Sequence, residues 1–177
     1  KVQGSVAATL VADGDAIIYV TGNQAQSTGQ ERRDGFMAGF TAARPNSEVI
    51  VVPTEWNSQQ AQEGVEAILN SRDDIKMVAN AWDGGTMGAK AALENLGYSA
   101  GDVKLVGFDG ASDAIVAMDA GWVHANTAQM LYQMGYQGIK AAAAAARGED
   151  VVGRIDTGFF LVTPETSSVY KDMVGIK

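Results

Sequence analysis

The chain has 177 residues, which is enough for one well-buried domain, or for one domain and part of another. Hydrophobic residues make up 46% of it and charged residues 19%, a composition that is typical of globular proteins and excludes a disordered chain. A net charge of −8 disfavours nucleic acids and anionic membranes as partners, and the lack of cysteine excludes disulfides, thiolate zinc sites and cysteine nucleophiles.

The first part of the chain predicts a short helix and then repeated strand and helix units. Residues 4–12 have the apolar spacing of a helix, and the apolar run 16–20 is typical of a strand that is buried on both faces. The elements predicted after a polar loop are a helix over 30–44, a strand over 48–52 and a helix over 57–70, which Asn57 could cap.

Three more strands alternate with helices up to Gln129. They are predicted over 75–79, 103–107 and 123–128, and the helices between them run from Trp82 to a terminating Gly97 and over 112–120. This alternation predicts an α/β fold, in which a Rossmann-like parallel sheet with right-handed crossovers is flanked by helices on both faces.

The pattern changes after Gln129. An alanine-rich helix is predicted over 130–147 and an apolar strand over 155–162, and Pro164 opens a last polar segment. Because five strands and their helices would already complete one domain, the helix over 130–147 is surplus to it.

No apolar run approaches the roughly 20 residues that span a bilayer. The first five residues also lack the pattern of a signal peptide. We therefore expect a chain that is cytosolic, mature after processing, or a fragment.

The stretch 103–110 places a carboxylate at the end of the fourth strand. Its sequence is Val-Lys-Leu-Val-Gly-Phe-Asp-Gly, and the glycines on either side of Asp109 allow the backbone to turn sharply. Open α/β sheets bind ligands at this carboxyl edge. Asp109 is therefore either a ligand-binding group or only the cap of the helix that follows.

Further polar and aromatic residues are predicted at the same edge of the sheet. Together with Asp109, these candidates are Arg32, Arg33, Trp56, Trp82, Asp83 and Gln129. Hydroxyl groups bind to such polar side chains and sugar C–H groups pack on indole faces, so the set suits a neutral polyhydroxylated ligand.

Each candidate also has a purely structural interpretation. The two arginines could form surface ion pairs with Glu31 or Asp34, and the two tryptophans could serve only in packing. Asp83 could cap its helix, and Gln129 could be a hinge or edge residue.

The sequence offers little support for catalysis. His124 is the only histidine, and strand alternation places it on the opposite face from Gln129. There is no nucleophile elbow and no metal-ligand spacing, and the glycine-rich segment 83–88 lacks the lysine of a P-loop. We therefore predict no catalytic residues, no cofactor and no metal site.

The order of the motifs resembles the C-terminal part of the ribose-binding type of periplasmic sugar-binding proteins of ABC transporters, also called type I periplasmic binding proteins. The matching pieces run through nearly the whole chain and cover residues 30–36, 81–89, 106–110 and 125–129. The Gly-Phe-Asp-Gly motif at 107–110 is the most specific of them, although the ligand-binding domains of LacI-type repressors share it.

The resemblance implies a role for five residues. Arg32 would bind sugar hydroxyls, Trp56 would form an aromatic wall in the place of a phenylalanine, and Asp109 would accept from two hydroxyls. Gln129 would be an amide at a crossover between two lobes. Trp82 stands where the ribose-type pattern has an asparagine, so we expect a ligand with more apolar edge than ribose, or another sugar or polyol.

The resemblance also implies a division of the chain, because this family has two similar lobes joined by three crossovers. Residues 4–129 would form the C-terminal sugar-binding lobe, 130–163 would be a helix and a strand belonging to an N-terminal lobe that this chain lacks, and 164–177 would be a C-terminal segment. We therefore expect a fragment.

The function implied by the resemblance is that of a periplasmic, non-enzymatic solute-binding protein. It would recognise a sugar or polyol and present it to a membrane permease, with no role for nucleic acid. The first alternative is the effector-binding domain of a LacI-type transcriptional regulator, and a less favoured one is an α/β enzyme acting on a phosphorylated sugar.

Overall fold

A computed structural model describes residues 1–176, in which six strands form one sheet. The strands are β1 (Ala16–Val20), β2 (Val49–Val52), β3 (Ile75–Asn80), β4 (Lys104–Asp109), β5 (Val123–Gln129) and β6 (Phe159–Val162). Their order in the sheet is β2-β1-β3-β4-β5-β6. All neighbours are parallel except β6, which is antiparallel to β5.

Seven helices accompany the sheet. They are α1 (Val2–Ala7, continued by a 3₁₀ turn over Ala8–Leu10), α2 (Ser27–Ala43), α3 (Ser58–Leu69), α4 (Asp83–Asn95), α5 (Ser112–Asp119), α6 (Leu131–Ala146) and α7 (Ser167–Val174). Right-handed crossovers place α2 on one face of the sheet and α3, α4 and α5 on the other, and α1 packs against α2. The predicted α/β fold is confirmed.

Local sequence explains why these elements form where they do. All five residues of β1 are buried, as the unbroken apolar run predicted, and Tyr19 stacks on Phe36 of α2 with ring centroids 4.1 Å apart. Asn57 caps α3 by accepting a hydrogen bond from the Gln60 amide. Gly97 ends the next helix with a positive φ of 82°.

The structure corrects three boundaries. Helix α2 begins at Ser27, so it includes the last residues of the predicted loop. The strand predicted over 155–162 is limited to Phe159–Val162. The last segment, for which the sequence predicted only polar character, contains α7, which packs against α5 and β6.

Strand β6 also differs from its predicted place. Residues 130–163 were expected to lie outside the C-terminal lobe, but Val162 and Phe159 pair with Asn126 and Gln129 of β5. This strand is therefore the antiparallel edge of the same sheet as β1 to β5. It belongs there because its ladder gives the outer side of β5 backbone hydrogen-bond partners.

None of the residues that form helix α6 is buried. Several of its large apolar side chains are exposed, including Leu131, Tyr132 and Ile139, and Tyr132 is 80% exposed. Within residues 1–176 no helix is long and apolar enough to cross a membrane. The assignment of α6 to a second lobe stays a prediction.

Candidate ligand-binding site

Asp109 lies at the carboxyl end of β4 in a strained backbone conformation, with φ at +121°. Its Oδ1 atom accepts two hydrogen bonds. Arg32 Nη1 donates at 3.0 Å and Gln129 Nε2 donates at 2.6 Å. Three residues that sequence reasoning placed at the same edge are therefore joined at one carboxylate oxygen.

Arg32 is held from several directions. It lies in the second turn of α2, and its Nη1 atom also donates to the carbonyl oxygen of Ala81 at 2.7 Å. The guanidinium carbon lies 4.3 Å from the centre of the Phe108 ring and 5.5 Å from that of Trp56. These contacts hold the guanidinium beside Asp109. Without them the long side chain could rotate and move its charge away from the carboxylate.

Trp56 stands at the rim of the site in a left-handed backbone conformation, with φ at 59°. Its Nε1 atom donates to Gln26 Oε1 at 2.7 Å, which fixes the plane of the indole. Gly22 allows the ring to lie close to the end of β1, because a Cβ there would be 2.2 Å from the Trp56 ring. This tryptophan is therefore held in place on both sides.

Trp82 packs against Trp56 in an edge-to-face arrangement, with ring centroids 5.3 Å apart and planes at 84°. It is 9% exposed, so most of its surface is packed against the protein. The ring lies over the first turn of α4, where a Cβ on Gly84 or Gly85 would come within 2.6 Å or 2.8 Å of it. Trp82 thus has the packing role that the sequence allowed, and its role in binding stays a prediction.

Asp83 has a different position from the helix cap that its sequence suggests. Trp82 occupies the N-cap position of α4 and makes no side-chain cap bond, whereas Asp83 is the first helical residue, is 2% exposed and accepts from the Thr86 hydroxyl at 3.3 Å. Its carboxylate accepts hydrogen bonds from the amides of Phe108 and Ala111, at 3.1 and 2.8 Å. Asp83 therefore supports the loop that carries Asp109.

Asn126 completes this support from β5. Its Nδ2 atom donates to Asp83 Oδ1 at 2.7 Å, and its Oδ1 atom accepts from the Gly110 amide at 3.0 Å. Burial raises the pKa of Asp83 to about 7, opposed by the hydrogen bonds from Ala111 and Asn126 that favour the anion. The carboxyl can therefore change its charge near neutral pH.

Two residues of the candidate site were not identified from the sequence. Phe108 stacks on Arg32, and Asn126 holds the loop, yet both lie inside motifs that the sequence did single out. A signal existed for each, since Phe108 lies between the glycines at the end of its strand and Asn126 is an amide residue within a predicted strand.

Other candidates lie outside the cluster. Arg33 pairs with Asp34 at 2.9 Å on the surface, which is the structural interpretation that the sequence allowed. His124 contacts Lys104 Nζ at 3.3 Å, and burial together with that cation lowers the pKa of the imidazole. Residues 1–176 contain no cluster of His, Asp or Glu suited to a metal ion.

The site has free hydrogen-bonding capacity for a ligand. A cavity of about 370 Å³ opens beside Arg32, with Phe108 and Gln129 in its walls. Asp109 Oδ2 accepts from no group of residues 1–176, and its side chain is 29% exposed. Because Arg32 already neutralises the carboxylate, the cluster presents directional donors and acceptors with little net charge.

A family model described as a periplasmic binding protein domain matches residues 1–150 of this chain. The chain is 28% identical over 165 residues to the ribose import binding protein of Escherichia coli strain K12, covering 93% of this chain and 55% of that protein. It is 29% identical over 143 residues to the D-allose-binding periplasmic protein of the same organism, covering 81% of this chain and 46% of the other. The chain thus spans about half the length of these curated relatives.

Solved structures are similar over nearly the whole chain. An ABC transporter solute-binding protein from Bacillus halodurans with bound myo-inositol superposes with a TM-score of 0.86 at 27% identity. The match covers 96% of this chain and 58% of that one. The fold of this chain therefore matches one part of a longer chain.

Proposed function

The chain belongs to the periplasmic binding protein domain family, and we propose that it is the C-terminal lobe of a solute-binding protein that recognises a neutral sugar or polyol for uptake by an ABC transporter. It acts by binding and not by catalysis. Its curated relatives are named as binding proteins, which supports this choice.

The single observation that carries the proposal is the convergence of Arg32 and Gln129 on Asp109 Oδ1 at the carboxyl edge of the sheet. This arrangement leaves the second carboxylate oxygen directed to a ligand, and hydroxyl groups are the donors that suit it. An ionised ligand would gain little from this pair, because Arg32 and Asp109 already balance each other's charge.

The two tryptophans narrow the class of ligand. Trp56 lies 5.5 Å from the Arg32 guanidinium carbon and packs on Trp82, so it offers an apolar surface beside the polar cluster, and an indole face packs well against the C–H groups of a sugar ring. Trp82 also cannot supply the side-chain amide that the ribose-type pattern has at that position. We therefore favour a sugar or polyol other than ribose.

The complete binding site needs a second lobe, which we propose covers the cavity from the other side. The length of the curated relatives supports this, since the chain spans about half of them. The exposed apolar side chains of α6 support it too, because such a surface suits packing against another domain. Closure of two lobes over the ligand would then favour the closed state.

The proposed partner of the closed protein is a membrane permease, and the proposed compartment is the periplasm. Both follow the names of the relatives, which include an import binding protein and a periplasmic protein. The alternative of a LacI-type effector domain has no observation in its favour beyond the shared Gly-Phe-Asp-Gly motif. An enzyme acting on a phosphorylated sugar would need a phosphate site, and the charge-balanced cluster argues against one.

Mass spectrometry of the ligand that co-purifies with the full-length protein tests the proposal. The protein is purified without dialysis, denatured and extracted, and the extract is compared with that of the Asp109→Asn variant. We expect a neutral polyhydroxylated compound from the wild type and much less from the variant. A phosphorylated or otherwise ionised compound would contradict the proposed ligand class.

A further inference from the structure

The loop of residues 108–111 has buried partners for most of its backbone polar groups. It joins β4 to α5 and carries Asp109. The amides of Phe108 and Ala111 donate to Asp83, and that of Gly110 donates to Asn126. These partners come from α4 and β5, which flank the loop.

The fourth contact comes from a distant part of the chain. Tyr170 of α7 donates its hydroxyl to the Gly110 carbonyl oxygen at 2.9 Å, across 60 positions of sequence. Tyr170 is 3% exposed, and burial, followed by the charge of Asp83, raises the pKa of its phenol. The phenol is therefore a neutral donor to the carbonyl group of the Gly110–Ala111 peptide, one peptide group beyond Asp109.

The fit between Tyr170 and the loop is close. Gly110 has a φ of 80°, and a Cβ at that position would lie 2.2 Å from the Tyr170 hydroxyl oxygen and 2.5 Å from Ala128 Cβ. Only glycine can therefore occupy position 110 without displacing the Tyr170 hydroxyl.

Helix α7 is itself anchored to the lobe. Lys171 Nζ lies 2.6 Å from Asp119 Oδ2, and Ser167 Oγ donates to Asp119 Oδ1 at 2.8 Å. The ring of Tyr170 also packs against Phe160 of β6, with centroids 5.6 Å apart. The helix therefore has a defined position from which Tyr170 can act.

The strain at Asp109 explains why such a contact matters. A residue other than glycine keeps a φ near +121° only where its surroundings over-determine the backbone. If one support is lost, the peptide group after Asp109 can rotate and carry the carboxylate away from Arg32 and Gln129.

We infer that α7 belongs to the binding machinery, with Tyr170 as a positioning residue that holds the Asp109 loop in its binding conformation. This role rests on the proposed function of Asp109. Tyr170 does not touch the ligand and acts through the Gly110 carbonyl group.

Amide hydrogen exchange, followed by NMR on the ¹⁵N-labelled chain without ligand, tests this inference in the Tyr170→Phe variant. The matched control is Tyr98→Phe, which removes a hydroxyl from a half-buried tyrosine on the turn after α4. We expect the amides of Gly110 and Ala111 to exchange up to about tenfold faster in Tyr170→Phe, the loss that one hydrogen bond brings. The amides of β1 should keep their relative protection.

A second variant distinguishes a local effect of Tyr170 on the loop from a general loss of stability. Lys171→Met breaks the anchor of α7 without touching the loop, and it should accelerate the same amides to a smaller extent. Uniform acceleration across the sheet, or equal effects in Tyr170→Phe and Tyr98→Phe, would overturn the inference. Because no ligand is present, this outcome is separate from a failure of sugar binding in the wild type, which would count against the proposed function.

Discussion

Asn126 Nδ2 lies 2.7 Å from Asp83 Oδ1 and joins the middle of β5 to the first turn of α4 beneath the ligand site. Each of these two side chains also accepts from backbone amides of the loop that carries Asp109. Buried polar groups outside the walls of the cavity therefore support the loop that orients the Asp109 carboxylate.

The pH dependence of stability should reveal the buried carboxyl of Asp83. The ordinary pKa of an aspartate is near 3.8. Burial, with a smaller contribution from the charge of Asp109, raises the pKa of Asp83 to about 7. Between these values the folded state holds a proton that the unfolded state has lost. Raising the pH from 5 to 8 should therefore lower the free energy of unfolding, by about 2 kcal/mol from this group.

Denaturant unfolding at several pH values, on the wild type and Asp83→Asn, checks this expectation. His124 titrates in the same range with the opposite sign, because its pKa is lowered, but it contributes equally to both proteins. The difference between the two proteins therefore isolates Asp83. Identical pH profiles would show that the carboxyl stays ionised throughout.

The backbone strain at Asp109 predicts an order of stability among two variants. Asp109→Gly and Asp109→Ala both remove the carboxylate, but only glycine adopts a φ of +121° without strain. The glycine variant should be more stable than the alanine variant by about 1–2 kcal/mol in chemical denaturation. If alanine were tolerated equally well, the strained conformation of the loop would be in doubt.

The indole of Trp82 should move when the helix beneath it gains a methyl group. In Gly85→Ala the new Cβ would lie 2.8 Å from the ring, so the indole or the helix must shift, at a cost of about 1–3 kcal/mol. The indole N–H signals of Trp82 and Trp56 should both change in NMR spectra. Gly135→Ala is the control, because that helical position is open and the change should be neutral or stabilising.

Helix α6 should exchange its amides rapidly in this chain and slowly in the full-length protein. None of its residues is buried here, whereas a second lobe would cover the apolar side chains and restrict opening of the helix. Hydrogen exchange with mass spectrometry can compare the peptide 131–146 in both forms, and we expect at least about tenfold slower exchange in the longer one. Equal exchange would contradict the assignment of α6 to the lobe interface.

The sequence predicted the elements that depend on local pattern. Apolar runs between glycine-rich turns predicted the five parallel strands, and strand ends predicted that Arg32, Asp109 and Gln129 would meet. Strand β6 was predicted too long, although Asp156 and Gly158 form a turn before it. Helix α7 was missed, although Tyr170, Met173 and Val174 have helical spacing.

The support of the site could not be predicted in this way. Asp83 has the sequence pattern of a helix cap, but its partners in the loop and in β5 lie 25 to 43 positions away, and Tyr170 lies 60 positions from Gly110. Such contacts depend on the packing of distant elements, and a buried carboxylate has no local pattern that distinguishes it from a cap.

An NMR titration of the ¹⁵N-labelled chain with D-ribose, D-allose and myo-inositol tests the central claim most directly. A complete micromolar site corresponds to about −8 kcal/mol, and half of it leaves about −4 kcal/mol, a constant on the order of millimolar. We predict saturable shifts of the Trp56 indole and Gln129 amide signals at millimolar concentrations of at least one neutral compound, lost in Asp109→Asn. A low-micromolar constant would contradict the half-site, and shifts that persist unchanged in Asp109→Asn would contradict the role of Asp109.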